Sequence, residues 1–368
     1  MNIIIVCGGR SVEEQISIIT AIKVYKSLLS SVEYHPYLVY QDPNDYCFYG
    51  GQGVLNIENY IDKKRFIKGE FKKKKGLSFF KQGHKKIYFD LVFPVVHGSN
   101  TEDGTMAAYF ITQGFKTLTP PISASAIAQD KILFKDLVNS LNIKTARAKS
   151  LSFSKYKEND FDMKSFINEL TFPLIIKPYD LGSSIGIELA NSFDELKPAL
   201  EKAFVNSSYV LIEEYFTQKE EINIAVIKDN QNKYHFSELE RIIKDDDKIY
   251  SYEDKYTGGK TKKDCPYNAS DEELNTIKDI VVTLYEKLKL SGVVRYDFIK
   301  SGDEIYINEL NTIPGNYSIN LFSPKGYSIK SLIDIYIESR LNFIQSLSKP
   351  LPNKNKVNDL VDSNKFKL

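Results

Sequence analysis

The chain has 368 residues, with 49 Lys+Arg against 48 Asp+Glu and a formal net charge of +1. That balance supplies no overall field for gripping nucleic acid or an anionic membrane. Hydrophobic residues at 42% and charged ones at 26% are ordinary for a folded soluble protein. At about 100–200 residues per domain, the length suggests two or three domains. No apolar run approaches the roughly 18 residues that span a bilayer. Met1-Asn2 followed by Ile3–Val6 lacks the basic n-region and long apolar h-region of a signal peptide. Three Cys and four His, all far apart, make neither a disulfide framework nor a zinc pattern. A cytoplasmic protein is expected, and any metal would be Mg²⁺ held by carboxylates.

In chain order, Ile3–Val6 is a continuous apolar run, as in a parallel strand covered on both faces. Gly8-Gly9 and a helical pattern through Ile18, Ile19, Ile22 and Tyr25 follow, with Ser11 and Glu14 at the spacing of a capping box. Strand, glycine turn and helix N-terminus form either a plain tight turn or a ligand site of an open α/β sheet. Residues 40–90 are less regular. The run Lys72–Lys75 reads as a solvated hairpin or loop rather than an anion patch. Leu91–Val96 is a strand that Pro94 marks as an edge or a bend, and a helix is predicted over Met106–Thr112.

Thr119-Pro120-Pro121 punctuates the chain, and residues 122–142 then read as helix. Pro173–Pro178 is a strand leading into Gly182-Ser183-Ser184-Ile185-Gly186. A third region opens at Tyr209–Glu214 and holds a strand over Ile222–Val226. A polar loop from 244 to 265, a helix over 271–289 and a hairpin follow. The hairpin strands are Val293–Ile299 and Glu304–Leu310, around Ser301-Gly302-Asp303. A last helix runs over 328–345, and the tail after Pro350 is polar.

The strongest local signal is Arg295-Tyr296-Asp297 followed by Glu309-Leu310-Asn311. Period-two alternation puts Arg295 and Asp297 on one face of one strand, and Glu309 and Asn311 on one face of the next. Paired as a hairpin, the four side chains converge. Two carboxylates and an amide oxygen suit Mg²⁺, although an exposed charged sheet face has the same residues. The turn Thr312–Gly315 can bring a backbone N–H beside the arginine, a pairing that holds developing negative charge. Lys177 ahead of a glycine-serine loop can grip polyphosphate. Lys131, Glu213 and Glu221 each read, in isolation, as ordinary surface charges.

Taken together and in order, these pieces resemble D-alanine–D-alanine ligase, of the ATP-grasp superfamily. The opening G-G-x-S-x-E motif is Gly8-Gly9-Arg10-Ser11-Val12-Glu13, and H-G-x-x-G-E-D-G is His97 to Gly104 with Thr101 at its second glycine. D-K is Asp130-Lys131, K-P…G-S-S-x-G is Lys177-Pro178…Gly182–Gly186, and the mobile-loop K-Y is Lys255-Tyr256. The metal motif R-x-D…E-x-N-x-x-P-G is Arg295…Asp297…Glu309…Asn311…Pro314-Gly315.

The resemblance implies an α/β (α+β) ATP-grasp fold with an N-terminal Rossmann-like parallel-sheet domain. Its parts would be an N-terminal α/β substrate-binding domain (1–120), a central ATP-grasp lid domain (121–210), a C-terminal ATP-grasp catalytic domain (211–346) and a polar tail (347–368). It implies ATP-dependent joining of two D-alanines through an acyl phosphate, for peptidoglycan precursor synthesis, in a cytoplasmic homodimer. Glu13 would hold the first substrate's ammonium, and Ser183 and Tyr256 would link with it. Lys131, Lys177, Ser184 and Lys255 would hold ATP phosphates. Glu213, Glu214 and Tyr215 would meet adenine, and Glu221 ribose. Asp297, Glu309 and Asn311 would hold two Mg²⁺, which Mn²⁺ can replace. Arg295 and the Gly315 N–H would stabilise the tetrahedral oxyanion, and His97 would line the substrate site. Asn320 and Leu321 would meet the second substrate, with Asn320 in the place of the family's serine. A ligase of the same chemistry taking D-serine, D-lactate or another amine is the alternative, and a non-catalytic nucleotide-binding protein a further one. Tyr256 argues against the D-lactate version.

Overall fold

A computed structural model of the chain describes residues 1–45, 47–51, 67–243 and 262–346. Three sheets organise it. The first has seven strands: β1 (Asn2–Gly8), β2 (His35–Gln41), β3 (Phe48–Gly51), β4 (Ile67–Lys74), β5 (Leu77–Gln82), β6 (Lys85–Phe89) and β7 (Leu91–Pro94). Their order is β6-β5-β4-β3-β2-β1-β7. Strand β1 pairs in parallel with both β2 and β7, and Ile3–Val6 are fully buried, as its apolar run predicts. The outer four strands are antiparallel, so the expected parallel sheet is a mixed one. Residues 67–89 look irregular in sequence because β4 buries only Phe71. That ring packs against Phe80 and Phe110 at centroid distances of 4.9 and 4.8 Å. The lysine run lies on β4 and its turn into β5, the solvated hairpin expected. Pro94 ends β7 at the sheet edge, where its missing N–H costs no ladder bond.

Helices α1 (Glu14–Leu29) and α2 (Thr105–Thr112) belong to this first unit. The helix expected over 122–142 is two, α3 (Ile122–Gln129) and α4 (Lys131–Ser140). Asp130 between them is extended (φ −83°, ψ 103°) and accepts the N–H groups of Ile132 and Leu133, an N-cap that ends one helix and starts the next. Ala124, Ala128, Phe134 and Val138 pack with Ile222 and Ile224 of the third sheet.

The second sheet is antiparallel, in the order β10-β9-β11-β8: β8 (Ala148–Ser152), β9 (Leu174–Pro178), β10 (Glu188–Ala190) and β11 (Tyr209–Glu214). It is backed by α5 (Phe193–Phe204). The division expected at 210/211 falls inside β11, so this sheet extends to Glu214.

The third sheet runs β15-β14-β12-β16-β17, with β13 on β12. Its strands are β12 (Glu220–Lys228), β13 (Tyr234–Phe236), β14 (Glu240–Ile243), β15 (Lys262–Asp264), β16 (Val294–Ser301) and β17 (Glu304–Asn311). The end of the expected loop 244–265 is thus a strand, while Lys255, Tyr256 and the tail 347–368 lie outside the described residues. Helix α6 (Asp271–Lys287) starts at Ser270, whose Oγ accepts the Glu273 N–H. Helix α7 (Ile329–Ser346) places Leu332, Ile333 and Tyr336 in one core with Ile3, Ile5 and Ile227, which joins the first sheet to the third. Among the described residues no helix is long and apolar enough to cross a membrane.

Candidate active site

A cleft of about 640 Å³ lies between strands of the second and third sheets and the β1–α1 turn and helix α1 of the first unit. Every described residue of the expected site lines it.

The first wall is the β1–α1 turn. Gly8 and Gly9 have φ of +84° and +93°, and a Cβ on Gly8 would lie 2.4 Å from the Gln41 carbonyl oxygen. Only glycine meets both demands. The expected capping box does not form: Ser11 Oγ accepts the Glu13 N–H at 3.1 Å, and α1 begins at Glu14. The two carboxylates are taken by long-range partners instead. Glu14 accepts the Tyr40 hydroxyl, and Glu13 Oε1 accepts Ser183 Oγ from the β9–β10 loop. Ser183 and Ser184 both sit in the left-handed region, φ 53° and 60°. His97 is buried, with Nε2 3.1 Å from Thr20 Oγ1. Burial pushes its imidazole down to about 4, so it is neutral at physiological pH.

The second wall is cationic. Lys131, the first residue of α4, donates to the Leu181 carbonyl and lies 3.6 Å from Glu309. Lys177 and Lys135 both pair with the buried carboxylate of Glu213. Burial alone would raise that carboxyl, but Lys177 and Lys135 outweigh it and hold Glu213 at about 2. Lys135 Nζ also donates to Thr145 Oγ1 and the Ala146 carbonyl, each at 2.8 Å. The sequence reading missed Lys135, which looks there like any helix lysine; only its burial sets it apart. Strand alternation turns Glu214 the other way. Its carboxylate pairs with Arg147 at 2.7 Å and accepts the Thr171 N–H at 2.8 Å, although the residue still lines the cleft. Lys219 lies over the Tyr215 ring at 4.1 Å and 3.6 Å from Glu221.

The third wall is the β16–β17 hairpin. Arg295 is registered opposite Asn311 and Asp297 opposite Glu309, as period-two alternation requires, with a bulge after Asp297. Arg295 grips Asp297 through both oxygens, Nε–Oδ1 at 2.7 Å and Nη2–Oδ2 at 2.9 Å. Asn311 Nδ2 lies 3.1 Å from the same Oδ2. The turn after β17 brings Gly315 into the cleft wall. The Asn320 amide, expected to meet a substrate carboxylate, donates to Glu240 Oε2 at 3.2 Å. Glu240 is buried and also accepts from Lys263 Nζ at 3.2 Å and Asn223 Nδ2 at 3.4 Å. Neither Glu240 nor Lys263 carries a local sequence signal. Leu321 is buried, and its carbonyl accepts the Glu238 N–H at 3.0 Å.

Two sheets holding between them a cleft lined by lysines and carboxylates match the ATP-grasp class of ligases, and solved structures share this fold. The D-Ala:D-Ser ligase from Enterococcus faecalis superposes with a TM-score of 0.79 at 28% identity, covering 92% of this chain and 98% of that one. The profile of the D-ala D-ala ligase N-terminus matches residues 2–117, and that of the D-ala D-ala ligase C-terminus residues 137–338. The D-alanine–D-alanine ligase of Clostridium novyi is 30% identical over 355 residues, 92% of this chain and 98% of the relative. That of Clostridium acetobutylicum is 32% identical over 351 residues, 92% and 97% of the two chains. The chain belongs to the D-alanine–D-alanine ligase family.

Proposed function

We propose that this chain joins two D-alanines, using ATP, and supplies the dipeptide for peptidoglycan precursors in the cytoplasm. The observation that carries the reading is the convergence of Glu13, Ser183, Arg295 and Gly315 in one cleft with Lys135 and Lys177. A carboxylate is a poor electrophile, so the first D-alanine must be activated. Its carboxylate attacks the γ-phosphorus of ATP, ADP leaves, and an acyl phosphate forms. The amine of the second D-alanine then attacks the acyl carbon, and phosphate departs.

Glu13, at the mouth of the first turn, holds the first substrate's ammonium. Ser183 closes the β9–β10 loop onto it, and Tyr256 completes the link. Lys131, Lys177, Ser184 and Lys255 hold phosphates. Glu213, fixed as an anion by its two lysines, takes the adenine amino group with the Glu214 and Tyr215 backbone, and Glu221 takes ribose. Arg295 and the Gly315 N–H face the oxygen that gains charge in the tetrahedral intermediate. Neutral His97 borders the same substrate.

The donor set of Asp297, Glu309 and Asn311 fits Mg²⁺. These are two carboxylates and an amide on one sheet face, all hard oxygen donors, beside a lysine that also serves phosphate. Two ions held there by Asp297, Glu309 and Asn311, Mg²⁺ or Mn²⁺, would supply positive charge against the phosphoryl group being transferred.

A second reading takes D-serine as the second substrate. The buried Glu240 carboxylate beside Asn320 favours it, because it offers an acceptor for a hydroxyl. A homodimer is the assembly we assign.

The test is ATP-dependent phosphate release screened over D-alanine, L-alanine, D-serine and D-lactate, with product identified by mass. Release with D-alanine alone, yielding the dipeptide, is expected. Release only when D-serine accompanies D-alanine selects the second reading, and no release with any of them overturns both.

A further inference from the structure

The turn that carries Gly315 is strained and is held from outside. Asn316, Tyr317 and Ser318 follow it with φ of 53°, 54° and 49°, three consecutive non-glycine residues in the left-handed region. Such residues persist only when their surroundings hold them. The side chains of Asn316 and Ser318 do not. Asn316 Oδ1 and Ser318 Oγ are buried, and neither has a hydrogen-bond partner among the described residues.

The restraint comes from two buried side chains of the first unit. Glu102 Oε1 accepts the Ile313 N–H at 3.0 Å, and Thr20 Oγ1 accepts the Asn316 N–H at 3.0 Å. These donors flank Gly315 on either side. Both anchors also reach the histidine motif. The second oxygen of Glu102 accepts the Gly98 N–H at 3.1 Å, and Thr20 Oγ1 lies 3.1 Å from His97 Nε2. His97 and Gly98 are consecutive, so the two anchors meet at one backbone segment. The circuit is closed, so moving either anchor moves the turn and the histidine together.

We propose that Thr20 and Glu102 are positioning residues that set the Gly315 N–H against Arg295 and keep it in register with His97. Both border the cleft, and each reaches Gly315 through the backbone of the 313–316 turn. The inference rests on Gly315 and Arg295 as the oxyanion donors, as argued above. Losing one such donor outright costs about 10²–10³ in rate, and a loosened donor costs part of that.

The test uses the full chain as Thr20→Val, Thr20→Ser, Glu102→Gln and Arg295→Ala. For each, kcat, the KM values for ATP and D-alanine, and the affinity for a phosphinate dipeptide mimicking the tetrahedral intermediate are measured. Thr20→Val keeps shape and removes the acceptor. It should lower kcat at least tenfold, weaken the phosphinate by a similar factor and leave the ATP KM within twofold. Thr20→Ser should restore most of the loss, and Glu102→Gln should match Thr20→Val. A merely structural role would lower stability and ATP affinity together, with no selective loss of the phosphinate. If Glu102→Gln does not fold, the Thr20 pair decides. Unchanged kcat and phosphinate affinity in folded Thr20→Val, with Arg295→Ala crippled, overturns this inference alone. Unchanged turnover in Arg295→Ala overturns the oxyanion assignment beneath it.

Discussion

Ser183 and Glu13 stand 170 residues apart, yet the hydroxyl of one donates to the carboxylate of the other. The bond ties the β9–β10 loop of the second sheet to the first turn of the first sheet. A hydrogen bond to a charged partner contributes about 1.5–3 kcal/mol. Ser183→Ala should therefore raise the KM for the first D-alanine about tenfold or more and move the ATP KM much less. Phosphate release titrated with each substrate checks this; equal changes in both constants would mean that the bond serves closure in general rather than Glu13.

Glu309 faces Asp297 across the hairpin. Glu309→Gln keeps the shape and removes one charged oxygen from the set assigned to Mg²⁺. It should abolish most turnover, an effect of several kcal/mol on the barrier, with an unchanged far-ultraviolet circular dichroism spectrum. Near-normal turnover in the folded variant would remove the metal assignment.

Asn320 is one of the donors to the buried Glu240. Asn320→Ala leaves that carboxylate short of a partner, a loss of about 1–3 kcal/mol. If the pair shapes the second-substrate subsite, the KM for the second D-alanine should rise about tenfold while that for ATP stays put. Kinetics that separate the two D-alanine sites will show it. Equal effects on ATP would place Asn320 outside that subsite.

His97 is buried and neutral, held at about 4 against an ordinary value of 6.5. Between those values the unfolded chain binds a proton that the folded chain refuses. Its neutral form therefore adds no cost above pH 6.5, and stability falls as pH drops from 6.5 toward 4, by about 3 kcal/mol at most. His97→Gln should flatten that part of the profile. Urea unfolding at pH 7 and pH 4.5 on both proteins tests the sign; equal slopes would mean that His97 does not titrate across that range.

What could be read from the chain alone was what alternation and chain order encode. The apolar run Ile3–Val6 announced a strand buried on both faces, because a parallel strand leaves no face for water. Period two placed Arg295, Asp297, Glu309 and Asn311 on one face of a hairpin before any pairing was known. The same alternation turns the two neighbouring carboxylates apart: that of Glu213 meets Lys177 and Lys135, and that of Glu214 meets Arg147.

Partners across sheets were settled by packing. Lys135 sits at an unremarkable helix position, and burial against Glu213 makes it part of the cleft. Ser11 and Glu14 have the spacing of a capping box, yet tertiary partners took Glu13 and Glu14, and the local motif lost. Glu102 meets the Ile313 N–H across 211 residues and Thr20 meets the Asn316 N–H across 296. No window of sequence contains both ends of either bond. The physical reason is that a side chain's own neighbours decide which face it occupies, whereas its desolvation and its hydrogen-bond partner depend on whichever distant segment the core brings against that face.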